Sequence, residues 1–131
     1  MVRVLIIEDD PASLDLVTRI VQDMGHSVIT ADNGREGVRR ALAQSPDLIL
    51  LDQHLPDVPG WIVVGELRAH EAFRRTPIIA VSAGTADDSA RALEAGCSDF
   101  IAKPYDFAEL RAAIDFHSER VEERAVRRDS V

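Results

Sequence analysis

Aliphatic residues gather in four short runs, Val4 to Ile7, Val28-Ile29, Leu48 to Leu51 and Ile78 to Val81, with a weaker fifth over Phe100 to Ala102. Continuous apolar runs of this length, rich in Ile and Val, predict strands buried on both faces of a parallel sheet. Between them the apolar positions take up helical spacing. Asp10 followed by Pro11 supplies an N-cap and a proline at the first helical position. That helix turns Leu14, Val17, Ile20, Val21 and Met24 to one side, and Gly25 stops it. A second helix opens at Asn33-Gly34, after Asp32 in a capping role, and ends before Ser45-Pro46. A third runs from about Gly60 through Val63, Val64 and Leu67, and a fourth, polar and poor in apolar anchors, spans Asp87 to Ala95 before Gly96. The last begins near Asp106, carries Phe107, Leu110, Ile114, His117 and Val121 as its apolar stripe, and is expected to fray into a charged tail. Strand and helix thus alternate five times at a spacing of roughly 20 to 25 residues, the pattern of a doubly wound α/β sheet.

The 131 residues suit one domain with one core, expected over residues 1–117, with 118–131 as a charged tail that is helix end or disordered. Net charge is −8, and the tail adds nothing to it, having four arginines against four acidic residues. The negative charge therefore belongs to the folded body, which argues against nucleic acid as a direct partner. No room is expected for a DNA-binding module after the body. No apolar run is long enough to span a membrane and no leader pattern opens the chain, so a membrane role is not expected. Cys97 is the single cysteine, which excludes an internal disulfide and suits a reducing cytoplasm; its expected place is as a small buried hydrophobe.

In doubly wound sheets functional groups gather at the carboxyl ends of the strands. Glu8, Asp9 and Asp10 follow the first run, Asp52 the third, Ser82 the fourth, and Lys103-Pro104 the fifth. Carboxylates brought together there repel, and a hard divalent cation with oxygen ligands, Mg²⁺ above all, relieves the conflict. Lys103 adds a compact positive charge and Ser82 a hydroxyl donor, both suited to phosphoryl oxygens. Asp52, ending the most apolar strand, is placed to attack phosphorus as a carboxylate nucleophile. Each residue alone has a plainer reading: Asp10 as a helix cap, Lys103 as a surface lysine, Glu8-Asp9 as a solvated strand end. Their joint occurrence at four strand ends is what is specific.

With these motifs the chain resembles the receiver domains of bacterial two-component response regulators. The matching segments are Val4 to Asp10, Pro46 to Asp52, Leu55-Pro56 with Gly60, Pro77 to Ala83, and Ala95-Gly96 through Phe100 to Pro104. The resemblance implies a flavodoxin-like (βα)5 fold with strand order 2-1-3-4-5. It implies Asp52 as phosphoacceptor, with Asp9 and Asp52 on Mg²⁺ directly, Glu8 through water and His54 through its backbone carbonyl. It further implies Lys103 as the phosphoryl-binding lysine, Ser82 and Phe100 as hydroxyl and aromatic switch positions, and a cis Lys103–Pro104 bond. Such a domain is no enzyme beyond its own phosphorylation and autodephosphorylation. The expected partners are a sensor histidine kinase or histidine phosphotransfer protein and a downstream protein met through the fourth helix, fifth strand and fifth helix, with self-association left open. The lone domain and the stretch Glu94 to Pro104 look most like stand-alone receivers of phosphorelays.

The chain departs from the family's usual pattern in Pro59 before Gly60, in His54 two residues after Asp52, in the bare Gly84 after Ser82, and in Phe100 without a hydroxyl. None removes a group that the chemistry requires. Two other readings are weaker. A pseudo-receiver would have lost an acidic residue or the lysine. An Mg²⁺-dependent phosphatase would place a second Asp where His54 stands.

Overall fold

Each aliphatic run becomes a strand, and its alternate residues go to opposite faces of one sheet. The computed structural model describes residues 1–129, which form β1 (Arg3–Ile7), α1 (Pro11–Asp23), β2 (Ser27–Ala31), α2 (Gly34–Gln44), β3 (Leu48–Asp52), α3 (Gly60–Arg68), β4 (Ile78–Ser82), α4 (Ala86–Ala95), β5 (Asp99–Ala102) and α5 (Phe107–Asp129), with one 3₁₀ turn at Glu71–Phe73. The five strands are parallel in the order β2-β1-β3-β4-β5, as the resemblance implied.

Every residue of β3 and β4 is buried. Leu5, Ile7, Ile49, Leu51, Ile78 and Ala80 join Val63, Val64 and Leu67 of α3 on one face. Val4, Ile6, Leu48, Leu50, Ile79 and Val81 join Val17, Ile20 and Val21 of α1 and Leu110 and Ile114 of α5 on the other. This two-faced burial is why the strands carry no hydrophobic–polar alternation. Cys97 lies within the first of these cores, where burial pushes its thiol up to about 12, and it packs as a hydrophobe.

Helix ends follow local chemistry with one correction. Asp10 caps α1, accepting from the Ser13 N–H at 2.9 Å. Gly25 and Gly96 take positive φ just beyond α1 and α4, and Ser45 takes the same region at the end of α2. Asp32 does not cap α2. Asn33 does, through the Glu36 N–H at 2.8 Å, and Asp57 adds to it by accepting from the N–H groups of Gly34 and Arg35 at 2.8 Å each. Asp32 instead accepts from the Asn33 side-chain amide.

One expectation about α5 also changes. Leu110, Ile114 and His117 are buried, but Phe107 is 43% exposed and stands outside the apolar stripe. The helix continues without a break past residue 117 to Asp129, with Val121 packed on the second core. Residues 130 and 131 of the expected tail lie outside the described residues. Among the described residues no helix is long and apolar enough to cross a membrane.

Candidate functional site

Sheet register brings the strand ends together. Ile7 pairs with Leu51, so Glu8 emerges beside Asp52 where the strand order changes direction. Asp52 pairs with Val81 and Ser82 with Ala102, which carries Lys103 to the same edge. The Lys103 N–H donates to the Ser82 carbonyl at 2.8 Å, and the Lys103–Pro104 peptide bond is cis.

Three carboxylates converge. Oxygens of Glu8, Asp9 and Asp52 lie within 4.8 Å of one another, with Glu8 and Asp52 buried and Asp9 exposed. The Lys103 ammonium is 3.1 Å from Glu8 Oε1 and 3.4 Å from Asp52 Oδ2. Asp52 Oδ1 accepts from the His54 backbone N–H at 2.9 Å, which fixes the carboxylate plane. Burial, and then the neighbouring Asp52, raise the Glu8 carboxyl above its ordinary value, against the pull of Lys103. Burial works against the Lys103 charge, but Asp52 and Glu8 outweigh it and hold the ammonium above its ordinary value.

With all four groups ionised, one ammonium faces three carboxylates, and two negative charges remain uncompensated. The donors are all oxygens and one side, at Asp9, is open to solvent. That combination fits a hard divalent cation.

The remaining expected residues spread around this centre. Ser82 is fully buried and its hydroxyl accepts from the Gly84 N–H at 3.1 Å. Phe100, paired with Ala80, packs half-buried against the first core at the sheet edge. The His54 side chain is 58% exposed and turns to α4, where Nε2 stands 3.5 Å from Asp88 Oδ2. Asp10 belongs to α1 as its cap.

Several neighbours escaped the sequence reading. Tyr105 lines the crevice beneath Lys103 together with Glu8 and Asp52. Gln53 is 1% exposed, immediately after Asp52, and Asp88 sits in the same cleft of about 390 Å³ as Asp9 and His54. Nothing local in the sequence marked Gln53 as buried, nor Asp88 among the acids of α4.

Known proteins share this fold and much of this sequence. The receiver domain of the sensor histidine kinase PA1611 from Pseudomonas aeruginosa PAO1, solved with a magnesium ion coordinated in its active-site cleft, is similar at TM-score 0.80 and 35% identity, over 86% of this chain and 93% of that one. A CheY-like response regulator receiver domain protein from Methanospirillum hungatei JF-1 gives TM-score 0.85 at 28% identity, over 93% and 97%. The transcriptional regulatory protein CusR of Escherichia coli K12 is 39% identical over 113 residues, 86% of this chain and 49% of CusR. The chain thus spans about half the length of such curated relatives. The sequence model of the response regulator receiver domain matches residues 4–115, and the chain belongs to that family, a signalling module of two-component systems.

Proposed function

We propose that Asp52 accepts a phosphoryl group from a histidine kinase or histidine phosphotransfer protein, and that the modified domain signals by protein–protein contact. The observation that carries this reading is the convergence of Glu8, Asp9 and Asp52 within 4.8 Å around a lysine that touches two of them. Such a centre is suited to gathering charge around an incoming phosphoryl group.

In this reading the Asp52 carboxylate attacks phosphorus as the bond to the donor's leaving group breaks, and an acyl phosphate results. The His54 N–H on Oδ1 leaves Oδ2, on the Lys103 side, as the attacking oxygen. Lys103 then follows the new phosphoryl oxygens, and Ser82 donates its hydroxyl to one of them. Asp9, Asp52, the His54 carbonyl and, through water, Glu8 would hold Mg²⁺, which supplies charge neutralisation for the phosphoryl oxygens. The family fold and the magnesium in the PA1611 receiver domain support the assignment.

The output surface is α4, β5 and α5. Ser82 drawn toward the phosphoryl group vacates space near α4, and Phe100 turns into it. α4 buries only Ala92, so it is the least anchored helix and the cheapest to move. Phosphate can shift this balance only by its differential affinity for the two states, about 1–3 kcal/mol if coupling is of the usual size. We assign the domain to the cytoplasm, where its phosphoryl donors work, with no direct contact to nucleic acid from its acidic body.

Titration with beryllofluoride and Mg²⁺, followed by amide NMR, tests this. Shifts at Asp52, Lys103 and along α4–β5–α5, weakened beyond the site in Ser82→Ala, are expected. Shifts confined to the loops around Asp52 would contradict the output surface.

A further inference from the structure

The two ends of α4 are held very differently. At its C-terminal end Arg68 donates from Nε to the Gly96 carbonyl at 2.9 Å, and from Nη1 to the carbonyls of Phe73 and Thr76 at 2.6 Å each. One charged side chain thus ties the Gly96 end of α4 to the segment Phe73 to Thr76 before β4, which makes that end the pivot. At its first turn the contacts are longer and all meet at one residue. Gln53 Nε2 donates to the Asp88 carbonyl at 3.4 Å, and His54 Nε2 stands 3.5 Å from Asp88 Oδ2. The same carboxylate accepts from the Thr85 N–H at 3.1 Å, and it fills the space beside Gly84 so closely that a Cβ there would collide with it. One turn further, the Arg91 guanidinium sits 5.0 Å over the Trp61 ring of α3.

Gln53 is costly for what it contributes. Its side chain is buried, and its Oε1 has no hydrogen-bond partner among the described residues. It lies against Gly60, where a Cβ would come within 2.8 Å of the Gln53 Cα. A half-satisfied buried amide is a poor stabiliser, since the unpaired oxygen forfeits its hydration. It does, however, join the residue after the phosphoacceptor directly to the backbone of α4.

We infer that Asp88 is a positioning residue that latches the first turn of α4 to the phosphorylation site through Gln53 and His54, and that α4 moves by releasing this latch and pivoting at Arg68. The inference deepens the proposed function by giving α4 a second link to Asp52, independent of Ser82 and Phe100. Residues 53 and 54 immediately follow Asp52, so any adjustment of the strand end on phosphorylation reaches Asp88 without an intermediary. Long contacts at the latch and short ones at the pivot mean that the first turn yields first.

The test uses the whole chain, with Mg²⁺ and beryllofluoride as the phosphoryl mimic. In the metal-free protein, His54→Ala and Gln53→Leu, both outside α4, should each speed hydrogen exchange at amides 88–91 by about fivefold, with amides 95–97 unchanged. In these variants and in Asp88→Ala, half-saturation by beryllofluoride, read from Trp61 fluorescence, should need about fivefold less ligand, because the latched helix no longer opposes the bound state. The His54→Ala/Asp88→Ala pair should match Asp88→Ala alone, as both remove one shared contact. Unchanged exchange and midpoints in Gln53→Leu and His54→Ala, or additive effects in the pair, would overturn the latch. A parent chain that binds no beryllofluoride would instead overturn the phosphorylation reading, and the exchange measurement would still decide whether Asp88 holds α4.

Discussion

The Lys103 ammonium lies 3.4 Å from Asp52 Oδ2, close enough to follow that oxygen through a phosphoryl transfer and, with its contact to Glu8, to compete with a cation for the carboxylate cluster in the resting state. Both roles have measurable consequences of opposite sign. Lys103→Met should tighten Mg²⁺ binding, because a positive charge leaves the carboxylate cluster, while phosphorylation by a small-molecule donor slows by about 100-fold, the scale of one lost electrostatic stabiliser. Calorimetric Mg²⁺ titration beside the rate of acyl phosphate formation separates the two. Weaker Mg²⁺ binding would mean that Lys103 orders the carboxylates rather than competes for them.

Arg68 predicts a stability effect remote from Asp52. Its guanidinium serves the carbonyls of Phe73, Thr76 and Gly96 and also reaches the Ser98 hydroxyl at 3.3 Å. Arg68→Met should lower the unfolding free energy by about 2–4 kcal/mol in urea denaturation, with Arg68→Lys recovering only part, since an ammonium lacks the fork that spans three acceptors. A loss below about 0.5 kcal/mol would show that water replaces the guanidinium without cost.

How far the sequence could be read follows from where each contact originates. Glu8, Asp52 and Lys103 were legible because each ends an apolar run, and parallel register carries such ends to one edge. Asp57, Gln53 and Asp88 were not. Asp57 caps a helix 22 residues upstream, and Gln53 meets Asp88 across 35 residues, separations that leave no periodic trace. Phe107 fitted the helical spacing of α5, but it is the first residue of that helix and stays exposed, which spacing alone does not reveal.

The pH dependence of stability should carry a signature of His26. Its Nδ1 accepts from the Val2 N–H at 3.1 Å, so the neutral ring is the form the fold uses. Partial burial, and then the chain's terminal ammonium, hold its pKa below the ordinary 6.5, against Glu122 and Asp115, which favour the charged form. A depressed folded-state value means that the unfolded chain binds the proton better. The contribution is therefore complete above about pH 6.5 and is lost as pH falls through the folded value. Urea midpoints measured from pH 7.5 to 5 should fall more steeply in the parent than in His26→Gln. Parallel profiles would remove His26 from the account.

The central claim is that Asp52 is the phosphoacceptor. Incubation with acetyl phosphate and Mg²⁺, followed by intact mass measurement, should add one phosphoryl group to the parent chain and none to Asp52→Asn, with EDTA abolishing the gain. Undiminished phosphorylation of Asp52→Asn, or a parent that stays unmodified while it binds Mg²⁺, would contradict it.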